Sequence, residues 1–120
     1  MKKCNHNNIT FMQRQNRNLG SLRDDLKKTA RICKVLSVDT RLKMIHILQK
    51  RSLCVNALAR VLGITPAAVS QHLRILRDAD IVIAERRGYF IHYQVNQEEL
   101  EKWYEVLREF FMRNYGEWGL

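Results

Sequence analysis

The chain has 120 residues, 46% of them apolar, and a formal net charge of +9. This length suits one domain with a single modest core, and the apolar content excludes wholesale disorder. No run of about eighteen apolar residues is present, which excludes a membrane-spanning helix, and Met1-Lys2-Lys3-Cys4-Asn5-His6-Asn7-Asn8 lacks the apolar stretch of a secretory signal, which points to the cytoplasm.

Residues 1–20 are rich in Asn, Gln and Arg, carry no acidic residue, and read as a flexible basic arm with a short helix around Ile9–Arg14. Ser21 is a candidate cap for a helix running to about Leu36. Its apolar positions Leu22, Leu26, Ala30, Cys33 and Leu36 keep helical spacing. Asp24 and Asp25 fall in its first turn and Lys34 in its last, which complements the helix dipole. Ser37-Val38-Asp39 restarts the chain, and a second helix over about Asp39–Lys50 is expected to bury Leu42, Ile45, Leu48 and either Met44 or Ile47.

The next segment is the most informative. Leu58, Ala59, Leu62 and Gly63 describe a short helix, about 56–62, that stops at a glycine able to adopt the left-handed conformation. Thr65 offers a side-chain oxygen to the free amides of a new helix, and Pro66, the single proline, stands at its first position. Val69, Leu73 and Leu76 then face a core, while Ser70, Gln71 and Arg74 point away with groups that bond base edges or phosphates. Helix, short turn and helix make a helix-turn-helix unit, with 66–78 as the recognition helix.

Ile81-Val82-Ile83-Ala84-Glu85 and Tyr89-Phe90-Ile91-His92-Tyr93-Gln94-Val95 read as two strands, with Arg86-Arg87-Gly88 between them as the tip of a hairpin. The second strand places Tyr89, Ile91, Tyr93 and Val95 on one face and Phe90, His92 and Gln94 on the other. A hairpin directly after a recognition helix is the wing of a winged helix. Asn96 caps a last helix with Glu98, Glu99 and Glu101 in its first turns. Its stripe of Leu100, Trp103, Tyr104, Leu107, Phe110 and Phe111 is wide and aromatic for so small a core. With Leu22 and Leu26 of the first helix it forms a candidate dimer interface.

The expected fold is therefore mainly α with a small β-hairpin (α+β), a winged helix-turn-helix of five or six helices plus a two-stranded wing. The domain spans 21–115, between the arm of residues 1–20 and a C-terminal tail of residues 116–120. Residues 1–96 hold 18 Lys/Arg against 6 Asp/Glu, whereas residues 97–120 hold 3 against 6, so the positive field sits with the helix-turn-helix. A polyanion partner, double-stranded DNA, requires that segregation. The candidate DNA contacts are Thr65, Ala67, Ser70, Gln71, His72, Arg74, Arg77, Arg86 and Arg87. No Gly-rich phosphate loop, paired carboxylates or nucleophilic triad is evident, so an enzyme is not expected. Three cysteines, Cys4, Cys33 and Cys54, argue against a disulfide scaffold and leave free thiols, metal ligands or redox sensors open.

The order of elements resembles the ArsR/SmtB family of small metal- and stress-responsive repressors, over about residues 25–112. The resemblance is carried by Leu36-Ser37-Val38-Asp39-Thr40-Arg41-Leu42, Leu53-Cys54-Val55 and Leu58-Ala59-Arg60-Val61-Leu62-Gly63-Ile64. It continues through Val69-Ser70-Gln71-His72-Leu73-Arg74-Ile75-Leu76, Ala79-Asp80-Ile81-Val82 and Arg86-Arg87-Gly88. It implies a homodimer that sits on an operator and leaves it when an inducer binds. Asp80 stands where the family usually has glycine, and Asp tolerates the left-handed turn better than most residues. The Cys-Val-Cys of thiophilic-metal sensors is reduced here to Cys54, with Asn56 in the second cysteine's place, and the last helix carries neither His nor Cys for the family's other sites. By analogy with relatives whose N-terminal cysteines complete a metal site, Cys4, His6 and Cys54 form the candidate set. Their inducer would be As(III), Cd(II), Pb(II) or Zn(II). Two other readings stay open: a regulator of this kind without metal sensing, redox-triggered or constitutive, and a winged-helix protein-interaction module.

Overall fold

A computed structural model describes the backbone of residues 19–118 and the side chains of residues 23–112. Its elements in chain order are α1 (Leu19–Leu36), α2 (Asp39–Lys50), α3 (Val55–Leu62), α4 (Pro66–Asp78), β1 (Val82–Arg87), β2 (Phe90–Val95) and α5 (Gln97–Trp118). Among the described residues these are five helices and one antiparallel two-stranded sheet. The arm, with the short helix expected near Ile9–Arg14, lies outside the described residues up to position 18. Helix α1 begins at Leu19, so Ser21 is inside it rather than at its cap, and Asp24 and Asp25 fall beyond its first turn. Helix α5 runs on to Trp118, past the boundary expected at 115.

One core joins every element. Ile32 and Val35 of α1, Met44, Ile45 and Leu48 of α2, Leu58 and Ala59 of α3, and Val69, Leu73 and Leu76 of α4 are buried together. Ile81, Val82, Tyr93, Val95 and Trp103 close it from the wing and α5. Two expectations about its membership are corrected. Helix α1 has two apolar stripes at helical spacing, and the one facing the core is Ile32 and Val35 with Thr29, while Leu26, Ala30 and Cys33 are exposed. Spacing identifies a stripe but not which neighbour it meets. On α2, Leu42 is 48% exposed and Arg41 takes the inward position instead, 8% exposed. The reason is local: the Arg41 guanidinium reaches back to the carbonyls that α1 leaves open at its end.

The turns follow the chemistry of their residues. Gly63 ends α3 in the left-handed region, φ 68° and ψ 32°, and its N–H donates to the Ala59 carbonyl at 2.9 Å. Ile64 packs against the core at the corner. Asp80 also holds positive φ, 61°, between α4 and β1. Asn96 Oδ1 accepts the Glu99 N–H at 3.3 Å and starts α5.

The hairpin pairs Val82 with Val95 through to Arg87 with Phe90, so its turn is Gly88-Tyr89, with Gly88 at φ +63°. Arg86 and Arg87 therefore stand on β1, opposite Ile91 and Phe90, and not in the loop as the sequence suggested. A glycine with positive φ at the first of two turn residues favours this shorter, tighter connection. At its base β2 is joined by Leu53: the Leu53 N–H donates to the Tyr93 carbonyl at 3.1 Å, and the Tyr93 N–H to the Leu53 carbonyl at 2.8 Å.

Candidate nucleic-acid interface

Helix α4 is prepared for contact by its first residues. Thr65 Oγ1 accepts the Ala68 N–H at 3.1 Å, and Pro66 occupies the first helical position, where no N–H partner is needed. Val69, Leu73 and Leu76, all essentially inaccessible, clamp the inner face. Their spacing forces Ala67, Ser70, Gln71 and Arg74 outward, and all four are exposed. The exposed residues Thr65, Arg77, Arg86 and Arg87 extend the surface at both ends of the helix and onto the wing. His72 differs: it is half-buried, and its Nδ1 is enclosed without a hydrogen-bond partner, so only the opposite edge of its ring is left for an outside contact.

Between α4 and β2 lies an open groove of about 370 Å³, lined by Ser70, Leu73, Arg74, Arg77, Asp78 and Tyr93. The Arg77 guanidinium carbon is 6.0 Å from the Tyr93 ring centroid. On the wing, Arg87 Nε is 3.5 Å from Glu85 Oε1, with both side chains about half exposed. Such a pair in high dielectric is worth little. Sequence reasoning passed over three residues of this surface. Tyr89 at the wing tip is 96% exposed and Phe90 beside it 57%, while Tyr93 is buried beneath Arg77. Alternation along β2 located the Tyr93 ring on the inner face but could not say which arginine it would meet.

The remaining candidates separate. Cys54 is half-buried at the start of α3 and makes no side-chain capping bond. Cys4 and His6 lie outside the described residues, and among the described residues no group of three or more His, Cys, Asp or Glu is placed to hold a metal. Cys33, one of the apolar positions at helical spacing on α1, is exposed.

Of the residues assigned to a dimer interface, Leu26, Tyr104 and Phe111 are exposed, and Phe110 packs edge-on to Phe111 with centroids 5.2 Å apart. Leu100 and Leu107, with Leu36 and Tyr104, line an apolar groove of about 380 Å³ between α1 and α5. Trp103 is the exception: at 6% exposure it belongs to its own chain's core, because α5 lies against α1 at that point. The Leu22 side chain lies outside the described residues.

Helix-turn-helix, basic wing and flanking helices together define a winged helix-turn-helix protein. A family model described as "bacterial regulatory protein, arsR family" matches residues 39–84. The chain is similar to the arsenical resistance operon repressor of Bacillus subtilis, 33% identical over 62% of this chain and 72% of that one. It is also similar to a CadC homolog from Staphylococcus aureus, a cadmium resistance transcriptional regulatory protein, 31% identical over 61% of each chain. Among solved structures it resembles the homodimeric winged helix-turn-helix DNA-binding domain of a possible ArsR-family regulator from Mycobacterium bovis. That match has a TM-score of 0.59 at 25% identity and covers 73% of this chain and 80% of that one. The chain belongs to the arsR family of bacterial regulatory proteins, whose members are transcriptional regulators and not enzymes. No helix of the described residues is long and apolar enough to cross a membrane.

Proposed function

We propose that this protein is a sequence-specific repressor that sits as a homodimer on an operator in the cytoplasm and is released by an inducer. The observation that carries the reading is the outward face of α4. Ala67, Ser70, Gln71 and Arg74 are held exposed by a buried stripe on the same helix, with arginines continuing onto the wing. Ser70, Gln71 and Arg74 read base edges, since Gln matches adenine and Arg matches guanine in the major groove. Thr65, His72, Arg77, Arg86 and Arg87 anchor phosphates and fix the register. The exposed apolar faces of α1 and α5 supply the two-fold contact, and a two-fold dimer reads two half-sites about 34–36 Å apart. The solved relative from M. bovis is a homodimer, which supports this arrangement.

The inducer in this proposal is a thiophilic metal ion, with Cys54 as one ligand and Cys4 and His6 supplied by the N-terminal segment. Support comes from the thiol of Cys54 and from the cadmium- and arsenical-resistance names of the relatives. The test is fluorescence anisotropy with the duplex upstream of the protein's own gene and a random duplex, in reducing buffer. As(III), Cd(II), Pb(II) and Zn(II) are then added to the complex in turn. Tight binding to the first duplex over the second is expected, with release by one ion and loss of that response in Cys54→Ser. Specific binding without release by any ion would leave the repressor and remove the metal, in favour of a redox-triggered or constitutive regulator. Equal, weak binding to both duplexes would overturn sequence-specific repression and favour a protein-interaction module.

A further inference from the structure

Tyr93 stands at a junction of three parts of the fold. Its backbone exchanges two hydrogen bonds with Leu53, at 2.8 and 3.1 Å, and pairs across the hairpin with Ala84. Its side chain is 9% exposed, in the core with Val82, Leu76 and Leu73. What remains visible of the ring lines the groove between α4 and β2, and the Arg77 guanidinium lies over it. Arg77 is in the last turn of α4, where the helix dipole favours a cation without fixing its direction. Among the described residues it makes no ion pair with a carboxylate, although Asp78 lines the same groove.

We infer that Tyr93 is a positioning residue for DNA binding: its ring is a fixed platform that holds Arg77 over the groove between recognition helix and wing, ready for a backbone phosphate of the duplex. This rests on the DNA-binding reading above. A long arginine side chain in solvent samples many rotamers, and immobilising it on binding has a cost. A flat aromatic face restricts that sampling while leaving the N–H donors free for phosphate, because cation–π contact uses the face of the guanidinium and not its edge. Ser70 and Arg74 line the other wall of the same groove, so the phosphate would be held between the helix and the wing. Tyr93 does not touch the duplex itself in this scheme; it acts through Arg77.

The test compares full-length wild type with Tyr93→Leu, Tyr93→Phe, Arg77→Ala and the Tyr93→Leu/Arg77→Ala pair. Binding to the operator and to a random duplex is read across a salt series, with thermal unfolding recorded for each variant. Tyr93→Leu keeps an apolar side chain in the core but removes the platform. It is expected to bind about three- to tenfold more weakly on both duplexes, with a salt slope shallower by up to about one, as when one phosphate fewer is neutralised. Tyr93→Phe restores the ring and is expected to restore affinity and slope. In the Arg77→Ala background, Tyr93→Leu should cost nothing further. The inference is overturned if Tyr93→Leu binds like wild type, if Tyr93→Phe fails to rescue it, or if the two effects add. Should Tyr93→Leu unfold, the comparison of Tyr93→Phe with wild type in slope, and Arg77→Lys in place of Arg77→Ala, still decides: a positioned planar fork predicts that lysine does not substitute. Failure of the wild type to bind either duplex would instead remove the DNA-binding reading itself.

Discussion

Arg41 belongs to α2 but finishes α1: its Nε donates to the Val35 carbonyl at 2.6 Å and its Nη2 to the Lys34 carbonyl at 3.2 Å. A buried cation thereby meets the negative end of a helix and satisfies carbonyls that have no partner within it. The Lys34 carbonyl also accepts from Ser37 Oγ at 2.8 Å, so Arg41→Ala takes the side-chain donor from the Val35 carbonyl and removes the packing of the stem, and is expected to lower stability by about 2 kcal/mol. Arg41→Lys should recover less than half, since a point ammonium cannot span both acceptors. Urea unfolding with an unchanged slope and a lowered midpoint would bear this out.

The two positive-φ turns that bracket α4, at Gly63 and Asp80, should respond differently to substitution. Nothing lies within 4 Å of where a Gly63 Cβ would be, so Gly63→Ala meets no clash and pays only for the left-handed backbone, about 1 kcal/mol. Asp80→Gly is expected to change stability by less than about 0.5 kcal/mol, because relief of strain and added freedom of the unfolded chain oppose one another. Asp80→Val should cost about 2 kcal/mol, since a β-branched residue fits that region worst. Thermal melts of the three variants are the check.

Helix α5 should show two kinds of aromatic residue. Trp103, buried within its own chain, is expected to cost about 3–5 kcal/mol when changed to Ala, whatever the protein concentration. Tyr104 and Phe111, 60% and 65% exposed, touch little of their own chain. Tyr104→Glu and Phe111→Glu should therefore leave the protomer folded and convert a dimer to a monomer in sedimentation equilibrium. A dimer that survives both changes would place the interface elsewhere.

Recognition and anchoring should separate on DNA. Gln71→Ala is expected to narrow the gap between operator and random duplex by about tenfold, with little change in salt slope. Arg87→Ala should weaken both duplexes alike and reduce the slope by about one. Removing its exposed pairing with Glu85 should leave stability within about 0.5 kcal/mol of wild type. Equal effects of both variants on the two duplexes would contradict the division of labour.

The recognition helix was legible residue by residue, because capping, turn and core signals there are local and agree: Thr65, Pro66, Gly63 and the Val69-Leu73-Leu76 stripe each do one job. What was not legible depended on partners distant in sequence. Helix α1 offers two stripes of similar spacing, and only the placement of α2 and α5 selects Ile32 and Val35 over Leu26 and Cys33. Arg41 reads as a surface residue until the end of α1 is set beside it. Arg86 and Arg87 belong to a strand rather than a loop because pairing register decides a turn's length, and Gly88 alone does not announce it.

The wing, finally, is a cantilever. Its root is clamped, with Leu53 bonded to Tyr93 on one side and Ile81 accepting the Asn96 N–H at 2.8 Å on the other. Its free end, from Arg87 through Tyr89, is bonded only to itself and stands in solvent. Amide exchange should grade along the hairpin accordingly, slow at Tyr93 and fast around Tyr89. A clamped root keeps the wing's distance from the recognition helix constant. A springy tip can follow grooves of different width, so register and tolerance come from opposite ends of the same six-residue strands.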